Sequence, residues 1–311
     1  MKLISIVTPC YNEAGNVSEL ACRVRKVMTV NLSEYSYEHI FIDNASTDGT
    51  LAELRNLAND DKNVKIIINS RNFGHIRSPV HGLLQAKGDA ILLVVADLQD
   101  PPEMIPDFVK KWEEGHDIVL AIKTDSEEHR LMFKVREIYY GILSKLSEVQ
   151  IFKNCTGFGL YDKKVMVALR SMKDPYPFFR GMIAEIGFKV FKLNYSQPIR
   201  ARGVTTNNFY SLYDTGILGI ISNSKIPLRM AIFMGAGIGI MSFLTAIAYA
   251  VAKLIFWDEM GLGVAPLVIG LFFMFSILLF FIGIIGEYIG AIYNQVMERP
   301  LVFEQERVNF D

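Results

Sequence analysis

The sequence predicts an α/β domain with a mostly parallel sheet, followed by a two-helix transmembrane hairpin. Three observations predict this. Short β-branched runs alternate with stretches of helical periodicity. A polar, loop-forming motif follows most of those runs. From Met230 onward, charged residues nearly disappear.

The strand-like runs are Ile4–Val7, His39–Ile42, Val64–Ile68, Ala90–Val95 and Ile118–Ala121. Between them, residues 16–30 repeat apolar side chains at helical spacing through Val17, Leu20, Ala21, Val24 and Val27. Thr50–Ala58 and Ser78–Ala86 do the same. Strands alternating with helices imply a parallel sheet covered on both faces, with ligands bound beyond the carboxyl ends of the strands.

The chain has 311 residues, 51% of them hydrophobic, and a mean hydropathy of +0.25. The excess lies in the last third, and residues before 230 have the charge density of a soluble domain. A formal net charge of −1 supplies no basic field for a nucleic-acid partner. The three cysteines, Cys10, Cys22 and Cys155, are scattered and form no C-x-x-C. That pattern argues against a disulfide framework or a cysteine zinc site and suits a reducing compartment. A strand-like run beginning at Leu3 leaves no room for a charged segment and apolar core of the signal-peptide kind.

Residues 230–257 carry one charged side chain, Lys253, and residues 264–286 carry none. Each run exceeds the roughly 20 apolar residues needed to cross a bilayer. The predicted spans are 230–257 and 264–292, joined by a short turn around Asp258-Glu259-Met260-Gly261. Two spans put both chain ends on one side. Lys225 and Arg229 precede the first span, Arg299 follows the second, and the turn is acidic. The positive-inside rule then makes the protein multi-pass in a bacterial inner membrane, with the large domain (1–208), a 293–311 tail and both termini cytoplasmic. Gly235, Gly237 and Gly239 in one span, and Gly283, Gly286 and Gly290 in the other, would allow close helix packing.

Four motifs follow the strand-like runs: Thr8-Pro9-Cys10-Tyr11-Asn12-Glu13, Asp43-Asn44-Ala45-Ser46-Thr47-Asp48-Gly49-Thr50, Asn69-Ser70-Arg71-Asn72-Phe73-Gly74, and Ala96-Asp97-Leu98-Gln99-Asp100-Pro101-Pro102-Glu103. Singly, each is no more than a helix cap or a turn. In this order, the set resembles glycosyltransferase family 2, the inverting GT-A type enzymes with a Rossmann-like nucleotide-diphospho-sugar domain. With the C-terminal spans, the chain resembles the polyprenyl-phosphate branch of that family, the dolichol phosphate mannose synthases and bactoprenol glucosyltransferases.

The resemblance implies roles for residues that match its motifs. Pro9, Tyr11 and Glu13 would line the base and ribose of a UDP- or GDP-linked sugar. Asp43 would receive the base edge, Ser46 and Asp48 would fix its loop, and Asn72 and Gly74 would shape the adjoining pocket. Asp97 and Gln99 would hold Mg²⁺ or Mn²⁺ against the diphosphate. A carboxylate and an amide oxygen suit such a hard cation, which keeps several waters and needs few protein ligands.

The chain departs from the family at two places. Many relatives read Asp-Ala-Asp-Leu-Gln where this chain has Val95-Ala96-Asp97-Leu98-Gln99, so Val95 replaces one carboxylate and leaves Asp97, Gln99 and Asp100. Many also read Gly-Asp-Phe-Arg-Leu where this chain has Thr156-Gly157-Phe158-Gly159-Leu160. The lost aspartate matters little for a phosphate acceptor, whose second pKa near 6 leaves it ionised at neutral pH. It matters more for a hydroxyl acceptor. Asp162 and Glu185 remain as acidic candidates for catalytic assistance beside Asp97.

On the acceptor side, residues 127–150 read as a basic amphipathic helix of the membrane-interface kind. Its Arg130 and Arg136, with Arg200 and Arg202 further on, are the predicted contacts to the phosphate of an undecaprenyl or dolichyl lipid. Residues 209–229 read as a second amphipathic segment leading into the first span. The expected reaction is inverting transfer of a single sugar from a nucleotide sugar to a polyprenyl phosphate at the cytosolic membrane face, by a chain whose sequence is compatible with a homo-oligomer. The same motifs fit transfer to another lipid or glycan acceptor, or a non-catalytic nucleotide-sugar-binding membrane protein.

Overall fold

The structure is a computed structural model that describes residues 1–124, 152, 154–198, 219, 221, 224–256 and 263–310. The expected helix at 127–150, with Arg130 and Arg136, lies outside the described residues, as do Arg200, Arg202 and most of the segment 209–229.

The first half alternates as expected: β1 (Leu3–Cys10), α1 (Val17–Asn31), β2 (Ser36–Asp43), α2 (Thr50–Asp60), β3 (Val64–Asn69), α3 (Gly74–Gln85) and β4 (Ala90–Leu93). A 3-10 turn (Pro102–Met104), α4 (Ile105–Glu113), β5 (Ile118–Lys123), β6 (Cys155–Asp162), α5 (Lys163–Met172), α6 (Phe179–Glu185) and β7 (Val190–Tyr195) follow. The chain ends in α7 (Ile226–Ile255), α8 (Val264–Val296) and β8 (Glu304–Val308).

All eight strands join one sheet in the order β7-β5-β6-β4-β1-β2-β3-β8. The β1, β2, β3 and β4 pairings are parallel, and β5 is parallel to β7. The reversed strands are β6, antiparallel to both β4 and β5, and β8, antiparallel to β3. Helices cover both faces. One core sets Leu20, Val24 and Met28 of α1 and Phe108 of α4 against Ile4, Ile6 and Leu92. The other sets Leu83 of α3, Val165 and Met166 of α5 and Ile183 of α6 against Val7, Ile91 and Tyr161.

The glycines that stand in place of the aspartate and arginine lie in the reversed strand β6. Gly159 lies between Leu93 of β4 and Leu120 of β5. A Cβ at Gly159 would stand 2.3 Å from the Val119 carbonyl oxygen, so no larger residue fits. Gly157 has φ +98°, a conformation L side chains rarely adopt. On this backbone a side chain at 159 would clash and one at 157 would be strained, at the positions where many relatives carry Arg and Asp.

The last residues, read from the sequence as a 293–311 tail, join the sheet. Helix α8 runs to Val296, and β8 then adds to the sheet edge beside β3, pairing Ile66 with Val308 and Ile68 with Glu306. Arg55 clamps Glu306 through bonds of 3.0 and 2.6 Å, His81 bonds Glu304 at 2.5 Å, and Asn309 donates to the Ala58 and Val64 carbonyls. The sheet domain is thus built from both ends of the chain.

Two stretches, Ile226–Tyr249 and Gly270–Val296, are long and apolar enough to cross a membrane, with none of their windows buried in the protein. Ile232, Phe233, Phe272 and Phe280 each expose more than 60% of their surface. Among the described residues, no close helix contact is made at the glycines of the two apolar helices. A Cβ added at Gly235, Gly237, Gly239, Gly283, Gly286 or Gly290 would meet nothing within 4 Å. What fastens α8 to the first helix's approach is the Tyr288 hydroxyl, which donates to the Ser224 carbonyl at 2.7 Å.

Gly159→Ala is expected to destabilise the fold by about 3 kcal/mol, the upper range for overpacking a filled core. Thermal unfolding in detergent should show the apparent Tm falling on the order of 10 °C.

Candidate functional site

The polar motifs converge at the carboxyl ends of β1, β2, β3 and β4. After β1 the chain turns through Asn12, at φ +57°. The Asn12 N–H donates to Ser46 Oγ at 3.0 Å, and Thr47 N–H returns a bond to Asn12 Oδ1 at 2.8 Å. Ala14 N–H donates to Asp48 at 3.2 Å, and Glu13 N–H to Thr50 Oγ1 at 2.8 Å. Asp48 also accepts from the Thr50 N–H and hydroxyl. Burial alone would raise the Asp48 pKa, but the bonds from Thr50 and Ala14 outweigh it and hold the carboxyl below its ordinary value. The loops after β1 and β2 are thereby one locked unit.

Asp43 ends β2 beneath these loops and is fully buried. Its Oδ2 accepts from Ser46 N–H at 3.2 Å, while among the described residues Oδ1 is buried with no hydrogen-bond partner. Burial raises its pKa against the opposing bonds from Ser46. A buried acceptor without a donor costs roughly 1–3 kcal/mol, which a ligand N–H would recover. Pro9 lies in β1 opposite Ile42, and Tyr11 is half-buried in the loop above. The Glu13 carboxylate faces inward and accepts from Asn16 Nδ2 at 2.6 Å, bracing the start of α1.

An asparagine cluster joins the β2 and β3 ends. Asn44 Nδ2 donates to Asn72 Oδ1 at 2.9 Å, and Asn44 Oδ1 accepts from Asn69 Nδ2 and Phe73 N–H. Asn72 Oδ1 also accepts from Gly74 N–H at 2.8 Å. Asn72 therefore shapes the start of α3 with its oxygen and leaves its amide nitrogen outward. Asn12, Asn44 and Asn69 were not singled out from the sequence. Their only sequence signal is position, since each falls at or just past a strand end.

Beyond β4, side chains alternate. Ala96, Leu98 and Asp100 are buried, while Val95, Asp97 and Gln99 are half-exposed. Leu98 has φ +62°, and Gln99 N–H closes the turn onto Asp97 Oδ1 at 3.1 Å. Gln99 Nε2 donates to the Pro198 carbonyl at 3.2 Å. Asp97 Oδ2 and Gln99 Oε1 carry no bond to the rest of the described residues, so the loop leaves two oxygen atoms available as ligands. That set fits Mg²⁺ or Mn²⁺, which fill their remaining positions with water and phosphate oxygens. Among the described residues, no three His, Cys, Asp or Glu side chains gather to hold a metal without such help.

Asp100 points into the core, accepting from Val95 N–H at 3.3 Å and the Tyr195 hydroxyl at 3.2 Å. Burial, and then the neighbouring charge of Asp97, push its pKa up to about 7. It is a brace between the loop after β4 and the end of β7, and it faces away from a metal at Asp97.

Asp162 is not at this site. Because β6 runs backward, Gly159 pairs with Leu93 at the end of β4, but Asp162 pairs with Ala90 at its start. Asp162 therefore sits on the opposite rim, where it caps α5 through Lys164 N–H at 2.8 Å and accepts from Trp112 Nε1 at 2.7 Å. Glu185 is exposed at the end of α6. That helix starts with Phe179 against Gly157 and leads toward Val190, which pairs with Ile118 at the far end of β5. Glu185 is thus carried away from Asp97. The depression lined by Leu84, Lys87, Gly88, Lys163 and Arg170 also opens on the far rim and contains none of the predicted residues.

Comparison with known proteins agrees with this architecture. Residues 5–169 match the model of Glycosyl transferase family 2. The chain is 34% identical over 303 residues to the uncharacterized glycosyltransferase YkcC of Bacillus subtilis, spanning 97% of this chain and 93% of that one. It is 32% identical over 298 residues to the SfII prophage-derived bactoprenol glucosyl transferase of Shigella flexneri, spanning 96% of each. Among solved structures, TarS 1–349 of S. aureus overlays on 72% of this chain and 66% of its own, with 18% identity and a TM-score of 0.45. The chain belongs to glycosyl transferase family 2. It is a glycosyltransferase with the GT-A fold of that family.

In metal-free protein, Asp100 keeps its proton to about pH 7 when folded, whereas an unfolded aspartate loses it near pH 4. The folded state then binds more protons across that window, so stability falls as pH rises from about 4 to about 7. Asp100→Asn should flatten this part of the profile, read as apparent Tm against pH in the presence of a chelator.

Proposed function

We propose that this chain transfers one sugar, with inversion, from a UDP- or GDP-linked donor to a polyprenyl phosphate such as undecaprenyl or dolichyl phosphate at the cytosolic face of a bacterial inner membrane. The observation that carries the reading is the continuity of the family 2 sheet with an apolar hairpin. Strand β8 returns from α8 into the sheet, so a membrane-spanning hairpin would hold the donor site beside the bilayer. The relatives named bactoprenol glucosyl transferase, which align over 96% of the chain and so include the hairpin, support a lipid acceptor.

The residues divide the work by position. Asp43 Oδ1 would accept an N–H of the base, an approach that needs the covering loop to shift because this oxygen is closed off. Tyr11 and Pro9 would flank the nucleoside, and Ser46 and Asp48 would hold the loop in register. Asp97 and Gln99 would hold a divalent ion, whose positive charge eases departure of the diphosphate. The acceptor phosphate oxygen attacks the anomeric carbon in line. The new C–O bond forms as the bond to the diphosphate breaks, and the nucleoside diphosphate leaves with the electron pair.

A phosphate acceptor arrives ionised, so the step needs no protein base. That agrees with glycine being obligatory at 159 and favoured at 157, and with Asp162 lying on the far rim. Arg200 and Arg202, with Arg130 and Arg136, would bind the acceptor phosphate. Arg200 follows Pro198 by two residues, and Pro198 is tied to Gln99, which supports placing Arg200 and Arg202 near the leaving diphosphate.

Purified full-length protein with UDP- or GDP-sugars, undecaprenyl phosphate and Mn²⁺ should yield a glycolipid. Absence of product from folded protein with every common donor would sink the proposal. Asp97→Ala should lower turnover on the order of 100-fold or more, beyond what loss of an outer-shell residue typically does. Asp162→Ala should stay within about twofold of wild type, as expected of a substitution that meets no substrate.

A further inference from the structure

We propose that Arg71, Arg77 and Arg299 form a binding site for the phosphate of an anionic bilayer phospholipid, at the seam where the second apolar helix rejoins the sheet domain. The inference rests on the reading of α7 and α8 as membrane spans.

Two guanidinium groups flank one buried ring, and Arg299 lies close enough to Arg77 for their charges to interact. The Arg71 guanidinium lies 4.0 Å from the centre of the Phe73 ring and that of Arg77 lies 5.7 Å from it. Arg77 Nη2 donates to the Pro300 carbonyl at 2.7 Å, next to Arg299, and its Nε is buried with no partner. Burial, and then the positive charges of Arg71 and Arg299, hold Arg77 below the usual guanidinium range. Arg23, Arg25, Arg55 and Arg307 each face a carboxylate. Among the described residues, Arg71, Arg77 and Arg299 face none. Three like charges brought together without a counter-ion repel one another, and an anion seated between them relieves that repulsion.

The position selects the anion. Arg299 is three residues past Val296, the end of the apolar helix. Gln295, one residue before that end, reaches the Lys173 carbonyl of the sheet domain at 3.5 Å. Phe303 packs 6.2 Å from Phe73 and remains 58% exposed. Arginines beside an exposed aromatic ring at the end of a span match the headgroup level of a bilayer, where guanidinium forks grip phosphate and rings meet the upper acyl chain. The acceptor phosphate does not fit here. Arg71 follows β3, which lies three strand spacings from β4 and the Asp97 loop, about 14 Å at the usual spacing. A reacting phosphate must come within roughly 3.5 Å of the sugar carbon.

The test uses full-length protein in uncharged detergent, with apparent Tm measured against added dioleoyl phosphatidylglycerol, dioleoyl phosphatidylcholine or nucleoside diphosphate. Phosphatidylglycerol should raise the apparent Tm, phosphatidylcholine should not, and the rise should shrink in about 0.5 M salt. The triple variant R71Q/R77Q/R299Q should lose most of the phosphatidylglycerol response and keep the nucleoside diphosphate response. Retention of the lipid response, or loss of the nucleotide response in its place, would overturn the site. Should the triple variant not fold, Arg299→Gln alone, which removes no hydrogen bond among the described residues, should weaken apparent phosphatidylglycerol affinity about fivefold. Unchanged affinity in that variant would overturn it. A wild-type lipid response in protein that transfers no sugar would sink the proposed reaction and leave the lipid site standing.

Discussion

The loops after β1 and β2 hold each other through backbone N–H groups. Ser46, Asp48 and Thr50 accept from residues 12, 14 and 13 respectively, and Asn12 accepts from Thr47 in return. These are the bonds a helix N-cap or turn would ordinarily make within its own segment. Here most of them run across about 35 residues of sequence, so neither loop has its shape without the other. The same lattice closes over Asp43 and supplies one of its oxygens with a donor while leaving the second without one. That buried oxygen is an acceptor without a donor, and the donor-site reading depends on the covering loop moving to admit one.

The other end of the chain imposes a second constraint. With β8 in the sheet, α8 is tied to the domain through seven intervening residues, and the strand now at that edge of the sheet carries charged side chains. A hairpin tethered this way restricts where the strand ends can face. The arginines at 71, 77 and 299 lie on that seam, and the glycolipid chemistry would take place within reach of it.

Much of the first half was legible in the sequence because its strands are buried on both faces and read as apolar runs. The runs at Ile4–Val7, His39–Ile42 and Val64–Ile68 each lie inside an observed strand. Strand β6 was missed because Gly157 and Gly159 interrupt its apolar pattern, and those glycines are there because neighbouring strands crowd them. Strand β8 was missed because Glu304-Gln305-Glu306-Arg307 has no apolar face, and an ion pair to Arg55 and a hydrogen bond to His81 hold it in place. The same blind spot misplaced Asp162. Sequence adjacency to residues 156–160 suggested a shared site, but reversal of β6 sends residue 162 to the opposite rim. Loop motifs at the parallel strand ends were readable because parallel topology gathers them at one rim. The bonds that lock Asn12 to Ser46 and Asn44 to Asn69 depend on loop pairing that no local pattern encodes.

The central claim is that the frame around Asp43 receives the nucleotide. Isothermal titration of UDP and GDP, with Mn²⁺ present, into wild-type protein and Asp43→Asn tests it most directly. Removing a charged acceptor from a hydrogen bond to the base should weaken binding of the preferred nucleotide by at least about tenfold, with folding unchanged by circular dichroism. Equal affinity in the two proteins would contradict the account.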